Sequence, residues 1–233
     1  MKKLIIASTS TVHGSDYLEY LLPVLRDLFK GITCILFIPY ARPGGISYDA
    51  YTAIARKGFA KINIDLKGIH EFKNPKSAIK EAQAIFTGGG NTFELVNQLY
   101  IHDLLLDIQK VVNNGIPYLG TSAGSNICGP TMMNTNDMPI VYPPSFQTLG
   151  CIPFNINAHY LDPIKGSKHM GETRETRIKE FHAFNQTPVV GLREGSWLEV
   201  SNDTIILRGT APARLFMQHQ KPFELESGGA VVF

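Results

Sequence analysis

Residues 115–126 read GIPYLGTSAGSN, an apolar run that leads through a glycine-flanked serine into small polar residues. The run from Ile116 to Gly120 is typical of a buried strand, and the residues after Ser122 favour a helix. A glycine two residues to either side of the serine gives the G-x-S-x-G spacing of a nucleophile elbow, in which the backbone passes closely and the hydroxyl projects. The segment therefore predicts a strand-to-helix unit with Ser122 as a candidate nucleophile.

Further units of this kind precede the segment. Strand-like runs alternate with amphipathic stretches of helical period, and the runs cover residues 4–9, 32–38, 61–69, 84–87 and 116–120. Such alternation indicates right-handed βαβ connections and an α/β fold with a mainly parallel sheet and helices on both faces. The clearest helix is predicted from about Thr92 to Val112, where Asn91 and Glu94 form a capping-box pattern.

The second half of the chain has a different pattern of predicted elements. Four prolines within residues 138–153 predict a surface loop. After it we expect a strand at 152–158, a helix at about 170–184 and a strand at 188–192. Short strands near 197–200, 204–207 and 214–218 predict an antiparallel C-terminal addition to the same sheet. No second-domain boundary is evident, so residues 1–233 are interpreted as a single α/β domain.

Composition narrows the range of partners and compartments. The chain has 233 residues, 44% hydrophobic and 18% charged, and its net charge of +2 is spread without a basic cluster. We therefore expect a compact domain that binds no nucleic acid. Apolar runs fall far short of the roughly 18 residues of a membrane span, and the start is too briefly apolar for a signal peptide. A cytoplasmic protein without a membrane partner is predicted.

The three cysteines agree with that compartment. Cys34, Cys128 and Cys151 are odd in number and have no metal or redox spacing. Cys34 and Cys151 lie in apolar runs and are expected in the core. Neither a metal nor another cofactor is expected.

A second glycine cluster, residues 88–90, also follows a strand and precedes a helix. It therefore lies at the same carboxyl edge of the sheet as Ser122, where ligands bind in such folds. It lacks the Lys and Ser/Thr of a phosphate loop. Acyl transfer needs two donors on one developing oxyanion, so the amides of Gly90 and Ala123 are the candidate oxyanion hole. A plain tight turn is the alternative.

A serine nucleophile needs a base, and seven histidines are available. His159 is preferred because it ends a strand-like run at the sheet edge, while His13 and His70 remain rivals. The acid that orients the base is Asp137 or Glu194. Both chain orders are allowed because a triad is a spatial arrangement.

Five segments together resemble peptidase E, the α-aspartyl dipeptidase family. They are FTGGGNTF (86–93), GTSAGSN (120–126), TNDMPI (135–140), NAHY (157–160) and GETR (171–174). The resemblance implies a class I glutamine amidotransferase-like, flavodoxin-like fold and a cytoplasmic serine peptidase that removes N-terminal aspartate from dipeptides. It implies Ser122 as nucleophile, His159 as base, and the Gly90 and Ala123 amides as oxyanion hole.

The resemblance also bears on the substrate. It makes Arg174 the partner of the aspartate side chain. Asn91 is a second candidate for substrate binding. An arginine suits this task because its planar fork can hold a carboxylate with two hydrogen bonds. The family's acid matches both Asp137 and Glu194, and we lean slightly to Asp137, whose loop is expected to order around substrate.

Other functions remain open on the sequence alone. A related serine hydrolase would act on β-aspartyl or cyanophycin-like substrates through the same elbow. A non-catalytic flavodoxin-like module would use the glycine loops for a nucleotide. A glutamine amidotransferase is disfavoured because its nucleophile is cysteine, whereas the elbow carries Ser122. The expected partners are small dipeptides, and either a monomer or a homodimer agrees with the sequence.

Overall fold

The computed structural model describes residues 1–163, 166, 168 and 170–233. Its larger sheet has seven strands in the order β3-β2-β4-β5-β1-β8-β9. They are β1 (Lys3–Ala7), β2 (Cys34–Ile38), β3 (Asp65–Gly68), β4 (Ile85–Thr87), β5 (Tyr118–Thr121), β8 (Ser196–Ser201) and β9 (Thr204–Gly209). The first five are parallel, and β8 and β9 continue the sheet antiparallel. The predicted α/β class and mainly parallel sheet are confirmed.

Helices cover both faces of this sheet, as predicted. They are α1 (Leu22–Leu28), α2 (Tyr48–Ala60), α3 (Pro75–Lys80), α4 (Thr92–Ile101), α5 (Leu105–Asn113) and α6 (Ala123–Asn126). The last helix, α7 (Arg174–His182), packs instead against Val189 and Phe216. Alternate residues of β1 enter two separate apolar clusters: Leu4 and Ile6 face α4 and α5, while Ile5 and Ala7 face α1 and α2. A strand buried on both faces needs a near-continuous apolar sequence, and β1 has one.

The single helix predicted over residues 92–112 is wrong, because α4 and α5 are separated by a break at residues 102–104. Asp103 takes a left-handed backbone conformation (φ 52°) there and forms an ion pair with Lys76. The apolar pattern explains the break. At about 100° per residue, Ile108 would lie half a turn away from Leu99 on a continuous helix. The break allows both residues to be fully buried.

The remaining four strands form a second sheet, in the order β11-β10-β7-β6. Its strands are β6 (Asn155–Ala158), β7 (Val189–Leu192), β10 (Ala213–Phe216) and β11 (Phe223–Leu225). The prediction that all C-terminal strands extend one sheet is therefore wrong for these strands. Because β1 is already paired on both sides, by β5 and β8, it offers them no free edge. β6 and β7 pair parallel with each other instead.

The proline-rich stretch 138–153 contains no helix or strand, as predicted. An isolated β-bridge between Thr131 and Gln147 connects this stretch to the residues that precede it. Cys151 is buried in this stretch, whereas Cys34 at the start of β2 is only half-buried, so the core prediction holds for Cys151 alone. In the ranges described, none of the helices has the length and apolar character needed to cross a bilayer.

Candidate active site

Ser122 lies between the end of β5 and the start of α6, in a strained conformation with φ 53° and ψ −112°. Few residues other than glycine adopt such angles, and they persist only where the surroundings enforce them. The flanking glycines are required by close contacts. A Cβ on Gly120 would collide with the Gly124 carbonyl, and one on Gly124 would collide with the Thr87 carbonyl. The backbone thus has the geometry of a nucleophile elbow.

His159 connects Ser122 to a carboxylate. Its Nε2 lies 2.9 Å from the Ser122 Oγ, and its Nδ1 lies 2.7 Å from the Glu194 Oε1. The carboxylate favours the tautomer with a proton on Nδ1, which leaves Nε2 free to accept the serine proton. The arrangement is that of a Ser-His-acid triad in the chain order Ser, His, Glu.

The backbone of His159 is held by a buried serine at the end of β1. The Ser8 hydroxyl accepts a hydrogen bond from the His159 N–H (2.9 Å) and donates one to the Leu192 carbonyl (2.7 Å). On the other side, the Ala7 carbonyl accepts from the Ser122 N–H at 3.1 Å. Ser8 therefore links the strand beside the nucleophile to the two strands that carry His159 and Glu194.

Asp137, the acid toward which the sequence leans, contacts other groups than His159. Its Oδ2 accepts hydrogen bonds from the Thr92 N–H (2.7 Å) and the Thr135 hydroxyl (3.2 Å). It therefore caps the first turn of α4 from the neighbouring loop, where a carboxylate is favoured by the helix dipole. The carboxylate against His159 is that of Glu194.

The glycine cluster lies directly against the nucleophile. A Cβ built on Gly89 would be 2.9 Å from the Ser122 Cβ, and one on Gly90 (φ 145°) would strike the Ala41 carbonyl. Within the described residues, the amides of Gly90 and Ala123 donate to no protein acceptor. Two unpaired amides next to Ser122 are what an oxyanion hole requires.

The remaining candidate nucleophile and bases have other surroundings. Cys128 is fully buried, and burial raises the pKa of its thiol well above the ordinary value. His70 contacts Asp49 through its Nε2 at 2.9 Å. His182 contacts the Thr187 carbonyl at 3.0 Å. His169 lies outside the described residues. Of the histidines in the described ranges, only His159 contacts Ser122.

Arg174 opens α7, directly after the cap residue Thr173, and is half-buried. The other basic residues of that helix form ion pairs, Arg177 with Glu180 and Lys179 with Glu175. No carboxylate in the described part of the chain pairs with Arg174. An ordinary surface ion pair on the helix therefore does not account for its position.

Arg174 lines a cavity of about 990 Å³ whose wall includes Asn136 and Leu161 but not Ser122 or His159. Two of the lining residues lie close to the base along the backbone. The Asn136 amide donates to the Ala158 carbonyl at 3.0 Å, and Leu161 lies two residues beyond His159. The cavity that Arg174 lines is therefore connected to His159 through Asn136 and Leu161.

Asn91 uses its side chain within the protein. Its Oδ1 accepts from the Glu94 N–H (3.1 Å), and its Nδ2 donates to the Met138 carbonyl (2.8 Å). Asn91 thus caps α4 as predicted, but the capping box with Glu94 is not formed, because the Asn91 N–H donates to the Ala41 carbonyl at 2.7 Å. Because both polar groups are engaged, a direct contact of Asn91 with substrate has no support in this geometry.

Two residues near the site, Ser8 and Tyr51, were not predicted from the sequence. The Tyr51 hydroxyl, on α2, contacts both polar backbone groups of Gly89. For Ser8 a signal was present, since a polar residue directly after a buried parallel strand lies at the edge where ligands bind. For Tyr51 no signal was present in the sequence, because an aromatic residue on an amphipathic helix ordinarily lies in the core.

Known proteins are similar to this chain over most of its length. The model of Peptidase family S51 matches residues 4–208. A Peptidase E of Streptomyces coelicolor is 48% identical over 97% of this chain and 91% of its own, and a probable alpha-aspartyl dipeptidase of Drosophila melanogaster is 45% identical over 92% and 90%. The crystal structure of a peptidase from an acI-B1 Actinobacterium has a TM-score of 0.76 at 16% identity, covering 100% of this chain and 97% of that one. The chain belongs to peptidase family S51.

Proposed function

We propose that this protein is a serine dipeptidase that hydrolyses dipeptides with an N-terminal aspartate. The observation that carries the proposal is the chain of short contacts from Ser122 through His159 to Glu194 on a strained elbow. Family membership supports the peptidase chemistry, and the relatives that are named for aspartyl dipeptides support the substrate.

In the first half of the reaction, the Ser122 Oγ attacks the carbonyl carbon of the aspartyl residue and its proton passes to the His159 Nε2. Glu194 stabilises the imidazolium that forms. The tetrahedral intermediate then collapses, the C–N bond breaks, and His159 returns the proton to the leaving amine. Water repeats the cycle on the acyl-enzyme, with His159 as base, and releases aspartate and Ser122.

The developing oxyanion is bound by the amides of Gly90 and Ala123. Ala123 begins α6, so its N–H points out of the first turn, where donors have no partner within the helix. Removal of one such donor from an oxyanion hole typically costs about 10²- to 10³-fold in kcat. These two amides therefore supply a large share of the catalysis.

Arg174 receives the aspartate side chain in the cavity beside His159. The supporting observations are its half-buried position and the absence of a carboxylate partner among the described residues. A guanidinium prepared in this way attracts a carboxylate strongly and rejects a neutral side chain, because its desolvation is then uncompensated.

Hydrolysis of a dipeptide panel tests the substrate. We expect cleavage of Asp-Leu and Asp-Ala, with very poor cleavage of Asn-Leu, Ala-Leu, Glu-Leu and the β-linked isomer of Asp-Leu. Preference for the β-linked isomer would instead make this a β-aspartyl hydrolase. No hydrolysis, together with no labelling of Ser122 by a serine-directed phosphonate, would favour a binding module.

Two variants test the machinery. Ser122→Ala and His159→Ala should each fold and lose kcat by about 10⁴-fold or more, because no acyl-enzyme forms efficiently. His70→Ala is the matched control, since His70 also contacts a carboxylate but not the serine. If the His70 variant were inactive while the His159 variant remained active, the assignment of His159 as the base would be refuted.

We also propose that the enzyme is cytoplasmic. All three cysteines are free, and two of them are buried. Unpaired thiols are ordinary in a reducing compartment and uncommon in secreted proteins.

A further inference from the structure

Tyr51 contacts the glycine cluster, residues 88–90, through its hydroxyl. Its hydroxyl accepts a hydrogen bond from the Gly89 N–H at 2.9 Å and donates one to the Gly89 carbonyl at 3.2 Å. A tyrosine hydroxyl has one proton to give and lone pairs to receive, so both bonds can exist together. The hydroxyl thus ties down both polar groups of one residue.

The second of these bonds determines where a neighbouring amide points. The Gly89 carbonyl and the Gly90 N–H belong to one peptide unit, and no described peptide bond is cis. In a trans peptide the C=O and N–H point in opposite directions. A carbonyl held by Tyr51 therefore leaves the Gly90 N–H directed away from Tyr51.

That peptide would otherwise have unusual freedom. It joins two glycines, and Gly90 adopts φ 145°, a region closed to most other residues. Rotation of the peptide between two glycines meets little steric resistance. A fixed partner on the carbonyl is thus what defines the orientation of the amide.

Tyr51 is itself rigidly supported. Its side chain is 1% exposed, and its ring packs edge-on against Phe37 and Tyr17 at centroid distances of 5.0 and 6.5 Å. Such packing permits little movement of the hydroxyl. Donation to the carbonyl also polarises the peptide, which makes its N–H a stronger donor.

We propose that Tyr51 is a positioning residue of the oxyanion hole, which orients the Gly90 amide toward the oxyanion formed at Ser122. The inference rests on the proposed serine mechanism. Tyr51 touches neither the substrate nor the reacting atoms, and acts only through the Gly89–Gly90 peptide.

The test compares two inhibitors in the variant Tyr51→Phe. An aspartyl trifluoromethyl ketone adds Ser122 and forms an oxyanion, whereas a reduced-amide analogue of Asp-Leu, with CH₂ in place of the carbonyl, binds without one. We expect Tyr51→Phe to lose about 10- to 10²-fold in kcat, less than removal of a donor would cost. The ketone should weaken by a similar factor, while KM and the affinity of the reduced amide stay unchanged.

Tyr100→Phe is the matched control. It removes a tyrosine hydroxyl that donates to the Gln147 carbonyl at 3.2 Å and does not contact the glycine cluster. Its kinetics and inhibitor affinities should equal those of the wild type.

Three outcomes would overturn the inference. They are an unchanged kcat in Tyr51→Phe, an equal loss of affinity for both inhibitors, and equal defects in the two variants. The last two would indicate a purely structural hydroxyl. If the wild type neither hydrolyses Asp-Leu nor binds the ketone, the serine mechanism itself fails, and the role of Tyr51 fails with it.

Discussion

Glu194 and Asp137 are acidic residues whose partners predict different effects of neutralisation. Glu194→Gln should lower kcat by about 10²- to 10⁴-fold, because an amide no longer stabilises the imidazolium of His159. Asp137→Asn should leave kcat nearly unchanged, since an asparagine oxygen can still cap α4. Steady-state kinetics of the two variants measure the difference. A greater loss in Asp137→Asn would return the orienting role to that residue.

Arg174 and Arg177 line the same cavity one turn apart, but only Arg177 has an ion-pair partner among the described residues. Arg174→Ala should reduce kcat/KM for Asp-Leu by about 10²-fold or more, with little effect on the residual cleavage of Ala-Leu. Arg174→Lys should restore part of the loss, because lysine carries the charge without the planar fork.

Arg177→Ala is the control for that comparison, and it should keep the preference of the wild type for aspartate. The ratio of kcat/KM for Asp-Leu to that for Ala-Leu is the quantity to measure. An undiminished ratio in Arg174→Ala would assign specificity to another residue.

At the scale of elements, the triad is divided between two sheets. Ser122 follows β5 of the larger sheet, whereas His159 and Glu194 follow β6 and β7 of the smaller one. Ser8 bonds across this junction. Ser8→Ala leaves the partly buried His159 N–H without its partner, which should destabilise the protein by about 1 kcal/mol. We also expect a fall in kcat of roughly 10-fold with KM nearly unchanged, because small misplacement of a catalytic group slows the reaction.

Ser10→Ala provides the comparison for Ser8, since it makes the same chemical change two residues further along. Chemical denaturation gives the stability of each variant, and kinetics give kcat and KM. If both variants behave alike, the contacts of Ser8 do not position the base.

The elements that the sequence predicted well are those with a local signal. The five parallel strands follow from the strand-like runs, the elbow follows from a run that ends in a glycine-flanked serine, and Asn91 was recognisable as a cap. The break between α4 and α5 also had a signal, the shift in apolar phase after Leu99, which the strong propensities on both sides obscured. The division of the C-terminal strands into two sheets had no local signal in the sequence. It depends on tertiary pairing, because β5 and β8 occupy both edges of β1.

The site was predictable to a similar extent. Ser122 and its glycines carry a motif, but Glu194 and Asp137 could not be separated by spacing. Their distinction comes from tertiary contacts, to His159 in one case and to the start of α4 in the other. Ser8 and Tyr51 act through backbone groups, and such contacts leave little trace in the sequence.

At the scale of the whole molecule, five charged residues tie the segments around the site together. Arg193 pairs with Asp162 and Glu224, and Arg214 pairs with Glu224 and Glu175. These residues come from the loop after β6, the turn after β7, α7, β10 and β11. The network thus holds the segments of His159, Glu194 and Arg174 in one arrangement.

The network predicts a pH dependence of stability. Hydrogen bonds from Arg193 hold the pKa of Asp162 below its ordinary value of 3.8 and that of Glu224 below 4.5. Groups with a lowered pKa stabilise the fold above their unfolded pKa and cease to do so as the pH falls through the folded pKa. Arg193→Met should therefore destabilise the protein clearly at pH 7 and progressively less below about pH 4.5.

Urea denaturation of wild type and Arg193→Met across this range measures the effect. Arg208→Met is the control, because its pair with Glu199 is exposed and should contribute only about 0–1 kcal/mol. A difference between wild type and Arg193→Met that stays constant with pH would show that the lost packing, and not the charge, matters.

Ser122 and His159 share a feature whose consequence is evolutionary, since both have φ 53°. At each position a glycine would relieve strain of order 1–3 kcal/mol, yet it would also remove a group that the reaction needs. Mutants recovered by selection for heat resistance alone would therefore accumulate glycine at these two positions and become inert. Stability and catalytic activity are therefore in conflict at these two positions. A screen for stabilised variants has to measure hydrolysis as well as heat resistance.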